Sequence, residues 1–361
     1  MIDWSQAYDR QCPKLAVQSF IENGVRKSLI PVLVNYFQDR KMIVKWRGVF
    51  SSERSLPGGG PQGCPLGQQS YVSQSNDNAS HVPEEDRFKW IDDLSLLEVI
   101  NLAMIGLTSY NFKHHVASDV GIDQLFLPSQ NLLSQQYTDQ ISYWTETKKM
   151  KLNEEKSKAM IFNFTKKFQF STRLQMNNNV IEIIKDTKIL GLIVSDNLSW
   201  RKNTDFLVSK ANKRMFIINN LVKFSIPLKE LVMIYCQFIR CILEFNSSVW
   251  FSSITEDESK DLERVQKSVC KMLLKSKYIS YEDALNKLGL QTLKTRREQL
   301  ALKFGQKCLD IDEMKNLFTK KADGFYDLRK NEEFSVKFAY KQRLFKSAVP
   351  SIQRLMNSNV Q

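Results

Sequence analysis

Phe88-Lys89-Trp90-Ile91-Asp92-Asp93-Leu94-Ser95-Leu96-Leu97 sets two short apolar arms on either side of a pair of carboxylates. Such a pattern predicts a β-hairpin over Phe88–Ile91 and Leu94–Leu97, with Asp92 and Asp93 carried at its tip. Consecutive strand residues face opposite sides of a sheet, so the two carboxylates share a target only where the tip bends. Asp92 is therefore ranked first, and Asp93 stands beside it as a supporting ligand or electrostatic partner. A solvated turn is the plain alternative.

Two segments upstream give the pair a context. Met1-Ile2-Asp3-Trp4-Ser5-Gln6-Ala7-Tyr8-Asp9 places Asp3 at the end of a short apolar stretch. Leu56-Pro57-Gly58-Gly59-Gly60-Pro61-Gln62-Gly63 is incompatible with regular structure and reads as a loop. Its glycines allow close backbone approach, and Gln62 and Gly63 offer an amide and an open backbone to a partner, or simply flexibility. A strand-end carboxylate, a glycine-rich loop and an Asp-Asp tip, in this order, match the needs of two-metal phosphoryl transfer. Two divalent cations about 3.5–4 Å apart need converging oxygens, one ion serving the attacking hydroxyl and one the leaving oxygens. Asp3 and Asp92 are expected to converge as the shared ligands, their carboxylate carbons within roughly 4–7 Å. Asp9 reads as a capping or structural carboxylate.

Beyond these segments the chain divides by pattern. Helices are expected over Lys14–Asn23, Leu29–Phe37, Leu66–Val72 and 131–149, with strands at Lys41–Trp46, Ala159–Phe164, Phe170–Leu174, Asn179–Ile184 and Thr187–Val194. A polar, irregular connection is expected from Val99 to about Pro128. From Asn203 onward helix follows helix, including a Thr255-Glu256-Asp257-Glu258 capping box and a basic amphipathic helix over Leu293–Asp310. The fold class is thus α+β: residues 1–202 mix an antiparallel sheet with packed helices, and 203–310 are all-helical. Residues 311–361 are a helical extension or tail, poorer in large apolar residues.

At 361 residues the chain can bury a substantial core. Its 52 Lys and Arg against 39 Asp and Glu leave a charge of +13, which favours a polyanionic partner. Lys210, Lys213, Arg214, Arg296 and Arg297 in the helical part are candidate phosphate contacts, or else the solvated face of amphipathic helices. Six scattered cysteines without a Cys-x-x-Cys pair read as reduced intracellular thiols, whether nuclear or cytoplasmic. No apolar run reaches the eighteen residues of a membrane span, and His81, His114 and His115 make no zinc spacing with any cysteine.

Taken as a series, these motifs resemble the reverse transcriptases of animal non-LTR (LINE-type) retrotransposons, over about residues 1–310. Met1–Asp9 resembles that family's first carboxylate motif, Gly60-Pro61-Gln62-Gly63-Cys64-Pro65-Leu66 its Pro-Gln-Gly motif, and Trp90-Ile91-Asp92-Asp93 its aromatic-x-Asp-Asp box. Met150 through Ser157 resembles the block after that box. Ile189-Leu190-Gly191-Leu192 and Leu198-Ser199-Trp200 resemble the primer grip, and Lys210–Arg214 with Leu262–Lys267 the thumb. The resemblance implies a polymerase palm over 1–202 and a thumb over 203–310. It also implies RNA-directed DNA synthesis from a DNA primer on an RNA template with deoxynucleoside triphosphates, using Mg²⁺, with Mn²⁺ as a substitute, at Asp3, Asp92 and Asp93. Tyr8 would be the gate against a 2′-hydroxyl, or else a core tyrosine. Gln62 and Gly63 would lie beside the templating pair. Lys156 would sit near the triphosphate, or else be a solvated lysine.

Two positions depart mildly from the family, Cys64 where serine is usual and Trp90 where phenylalanine or tyrosine is usual. Asp3 also stands almost at the first residue, so the fingers segment and an endonuclease are expected to be missing and templated incorporation to be weak. The alternative is a catalytically inactive retroelement remnant that at most binds nucleic acid. No membrane partner is expected.

Overall fold

The paired aspartates do sit on a hairpin, formed by Arg87–Trp90 and Asp93–Leu96 in the register Trp90↔Asp93 and Arg87↔Leu96. Asp92 lies in the turn and Asp93 is the first residue of the return strand. Only Asp92 is therefore free of the ladder. The computed structural model describes residues 1–56, 58–90, 92–100, 123–127, 132–164, 168–224, 226–320 and 333–358. Most of the connection expected over 99–128 lies outside the described residues.

The architecture is mixed α+β, built from several small sheets and many helices, and it divides into Met1–Lys185 and Asp186–Gln361. In the first unit, Pro13–Glu22, Ile30–Phe37, Pro65–Ser75 and Leu133–Lys148 are helical. Pro sits in the first turn of the first three, where its missing N–H costs nothing. Lys149 ends the fourth in a left-handed conformation at φ 55°. Strands are short. Asp123–Leu127 pairs in parallel with Phe168–Thr172, and Lys158–Ala159 with Glu182–Ile183. The expected strand over Ala159–Phe164 is thus only a two-residue pairing.

Residues 1–5 form the spine of this unit. Ile2 bridges Leu94 on one side, its N–H donating to the Leu94 carbonyl at 2.7 Å. On the other side Trp4 bridges Leu152, Ser5 N–H donates to Lys151, and Asn153 N–H donates to the Asp3 carbonyl at 2.8 Å. Ile2, Trp4, Tyr71, Leu94, Ile141 and Leu152 bury together as the core beneath. The apolar residues on either side of Asp3 thus anchor it.

The second unit begins earlier than the pattern predicts. Thr187–Val194 is a hairpin rather than one strand, pairing Asp186–Ile189 with Leu192–Ser195. Leu190 and Gly191, at φ 45° and 88°, make the reversal that their apolar neighbours conceal in the sequence. Leu192 packs into the helical core, so the hairpin belongs with the helices. Those helices are Arg201–Leu221, Leu228–Tyr235, Glu256–Leu274, Tyr281–Leu288 and Leu293–Leu309. Thr255 and Glu258 make the reciprocal capping box the sequence predicts. Leu228–Tyr235 continues through a π-turn at Cys236–Arg240 into Cys241–Leu243.

Ala348–Ser358 packs on Leu293–Leu309 through Ala301, Cys308, Ile352 and Met356, so this part of the C-terminal stretch is a packed element of the unit. Gly305 makes the close approach possible, since a Cβ there would stand 2.4 Å from Ile352 Cγ2. Among the described residues no helix is long and apolar enough to cross a membrane.

Candidate functional site

Asp3 is half-buried, with its backbone locked on both sides. Its N–H donates to Ser157 Oγ at 3.1 Å, and Ser157 Oγ donates to the Asn153 carbonyl at 2.8 Å. Burial pushes the Asp3 carboxyl above its ordinary range, and the charge of Asp92 adds to the rise. The Lys156 charge and a hydrogen bond from the Asn153 side chain pull the other way without cancelling it. Asp93 is likewise raised, by burial first, then by Asp92 and Asp3. The three carboxylates therefore feel one another, although Asp3 and Asp92 are far apart in sequence.

Tyr8 and Tyr71 complete one wall. Their rings lie 4.8 Å apart at 33°. The Tyr8 hydroxyl is raised in pKa by burial and by Asp92. Tyr71 is pushed up by burial, then by Asp92, Tyr8 and Asp3. Tyr71 is 1% exposed, and its hydroxyl finds no hydrogen-bond partner among the described residues. An orphaned hydroxyl facing carboxylate charge is costly unless something else satisfies it.

The glycine-rich loop is fastened directly behind this wall. Gly60 N–H donates to the Tyr8 carbonyl at 2.6 Å, and Gly59 N–H to Gln11 at 2.8 Å. Gly59 has φ +83° and lies so close to Asp9 that a Cβ would meet its carbonyl oxygen at 3.1 Å. A Cβ on Gly67 would stand 1.6 Å from the Pro61 carbonyl. Gln62 Nε2 donates to Asp9 Oδ1 at 2.8 Å, so Asp9 ties the loop down rather than joining the carboxylate group. Gly63, at φ +81°, has open space around its Cα, and Cys64 caps the following helix by accepting from Gly67 N–H at 3.3 Å. The loop, the Asp3 strand and the hairpin are thus one local assembly. Lys156 is exposed beside it.

A divalent cation suits this donor set. The candidate ligands are hard carboxylate oxygens, and a cation would offset the burial that raises Asp3 and Asp93 and the smaller mutual repulsion that adds to it. Among the described residues no three His, Cys, Asp or Glu side chains stand together as a complete metal cage. Mg²⁺ seldom uses one; it takes one or two carboxylates and completes its octahedron with water and substrate phosphates.

The basic candidates in the second unit divide. Lys210 and Lys213 are exposed on Arg201–Leu221, and Arg214 donates to the Phe238 carbonyl at 2.8 Å. Arg296 and Arg297 are not surface cations. Arg296 grips both oxygens of the Glu244 carboxylate. Arg297 is 2% exposed, donates to Ser259 Oγ at 2.8 Å and lies 5.8 Å over the Trp250 ring. Their charges serve packing inside the unit, which corrects the phosphate-contact expectation for Arg297 and leaves Arg296 already paired. Asn153, Ser157 and Tyr71 are the neighbours of Asp3 to which sequence reasoning gave no role. The Asn153-x-x-x-Ser157 spacing around Lys156 was the available signal for two of them. No protein-family model matches the chain, and no curated protein sequence matches it.

Proposed function

We propose that the first unit is the palm of an RNA-directed DNA polymerase and that the second unit acts as its thumb. The observation that carries this reading is the pairing of the Asp3 segment with the Asp92–Asp93 hairpin, Ile2 N–H donating to Leu94 at 2.7 Å, beside a Pro-Gln-Gly loop fastened to Tyr8. Asp3 and Asp92 are the metal ligands, and Asp93 supports them. With Mg²⁺ or Mn²⁺ bound, the site gains a charge that favours an attacking hydroxylate and neutralises leaving oxygens.

The chain's own residues supply the rest. Asn153 and Ser157 hold Asp3 in place, one by its side chain and backbone and the other by its hydroxyl. Lys156 contributes positive charge beside Asp3, where a triphosphate's charge must be balanced. Tyr8, stacked on Tyr71, excludes a ribose 2′-oxygen by filling the space beneath the sugar. Gln62 and Gly63 border the templating base pair. Lys210, Lys213 and Arg214 hold the primer–template backbone, a contact that gives affinity without sequence choice.

The test is primer extension on a homopolymer RNA template. Weak incorporation that requires Mg²⁺ or Mn²⁺ and is abolished by Asp92→Asn is expected. Incorporation that survives Asp92→Asn would refute the assignment.

A further inference from the structure

We infer that the hairpin at 41–55 is a binding platform for a single nucleic-acid strand. Lys41–Met42 pairs with Arg54–Ser55, and Lys45–Trp46 with Val49–Phe50, so the whole segment is one extended hairpin turning at Arg47-Gly48. Every residue from Lys41 to Ser55 is exposed. Trp46 and Val49 are each 72% exposed and Phe50 is 63% exposed. A half-buried hairpin hides one face. Here cross-strand partners show that Trp46 and Val49 occupy one face and Lys45 and Phe50 the other, and both faces are open.

Composition decides what the two faces fit. Lys41, Lys45, Arg47 and Arg54 stand against the single carboxylate of Glu53. Each face pairs one ring with one cation: Arg47 lies 5.8 Å from the Trp46 ring centre, and Lys45 lies 5.1 Å from that of Phe50. A ring offers stacking to any base, and the adjoining cation can meet the phosphate beside it. A duplex keeps its bases stacked on one another, so a single strand uses the rings and a duplex does not. Lys41 is paired with Glu53 at 2.9 Å, which leaves Lys45, Arg47 and Arg54 as cations from which an apolar protein partner would gain nothing.

The hairpin is also tied to the carboxylate site. Leu56 N–H donates to the Arg40 carbonyl at 2.8 Å and closes its base. Arg40 in turn donates to the Gly58 carbonyl at 3.0 Å and to that of Gly59, the loop that packs on Tyr8 and Gln11. The platform therefore springs from the glycine-rich loop that is fastened to Tyr8 and Gln11. The inference rests on the polymerase reading for the destination of the strand, and not for its binding.

The experiment uses the full chain and fluorescein-labelled 12-nucleotide RNA and DNA single strands, with an RNA–DNA duplex of the same length. Trp46→Ala with Phe50→Ala should weaken binding of both single strands by about tenfold or more, because two bases no longer have a ring to stack on. The salt slope should stay unchanged and the duplex should be bound as before. Lys45→Ala with Arg47→Ala should instead flatten the slope, by about 0.7 for each phosphate that is no longer neutralised. Photocrosslinking of a 5-iodouridine strand should map to Trp46 or Phe50 in the unaltered chain, which removes any dependence on how a variant folds. All binding is measured in EDTA without triphosphate, so failure of the polymerase reading leaves this test standing. Equal single-strand affinity in the aromatic variant, or crosslinks only outside 41–55, would overturn the inference. So would a dimer that dissolves in that variant, since a second copy would then be the occupant.

Discussion

The second unit builds the larger buried apolar core, whereas the first carries exposed rings on its two-stranded hairpins. Trp250, Tyr235, Ile239 and Leu262 are all at most 1% exposed among the helices. In the first unit Trp46, Phe50, Phe88 and Trp90 are each more than half exposed, on two-stranded hairpins. The hairpin beside the aspartates even inverts the usual pattern, turning Phe88 and Trp90 outward. It places Lys89 inward against the Ser75 hydroxyl, and burial there lowers the Lys89 ammonium to about 8. The contrast teaches where stability comes from: helix packing around one large core holds the second unit, while the first rests on a smaller core and on short strand pairings. A unit with less buried apolar surface is expected to open at lower free energy.

Trp250→Ala should have the largest effect. It empties the centre of the helical core and removes the ring under Arg297, costing about 3–5 kcal/mol. Urea unfolding followed by hydrogen exchange should show the loss in 186–361, with 1–185 nearly unchanged. An equal loss in both units would break the comparison. Gly67→Ala is its counterpart in the first unit. The new Cβ meets the Pro61 backbone oxygen, so the loop must move, at roughly 1–3 kcal/mol. Exchange should rise at 58–75 and stay unchanged in the helices of the second unit.

Thr255→Ala is a smaller test of the helical side. It removes one half of the capping box and should cost about 1 kcal/mol, read as a lower urea midpoint at constant slope. Asp3→Asn should have the smallest effect, and its sign changes with conditions. The Asp3 carboxyl is raised in the folded chain, so its favourable contribution is complete below the unfolded carboxyl range and fades as pH rises through the folded value. Without metal, Asp3→Asn should thus match wild type near pH 3 and be slightly more stable at pH 7. With saturating Mg²⁺ the order at pH 7 should reverse, because only wild type gains from the bound ion. Metal-independent thermal shifts would contradict this.

Local signals made much of this legible. The Asp-Asp hairpin, the glycine-rich loop and the Thr255–Glu258 capping box all depend on neighbours within a few residues, and each formed. What escaped depends on distant partners. Arg296 and Arg297 read as surface cations because Glu244 and Trp250 lie about fifty residues away in sequence. Thr187–Val194 read as a continuous strand because Leu190-Gly191 turns within an apolar run. Tyr71 lay in a stretch expected to be helical, and nothing local marks its hydroxyl as facing Asp3 and Asp92.

The central claim is that Asp3 and Asp92 serve one metal site, and Fe²⁺-directed backbone cleavage tests it most directly. Fe²⁺ placed where Mg²⁺ would bind cuts the nearby chain in the presence of peroxide, and mass spectrometry locates the cuts. The account predicts paired cuts within residues 1–5 and 90–94, competed by Mg²⁺ and lost together in either Asp3→Asn or Asp92→Asn. Cuts at one segment alone, or paired cuts that persist in Asp92→Asn, would contradict it.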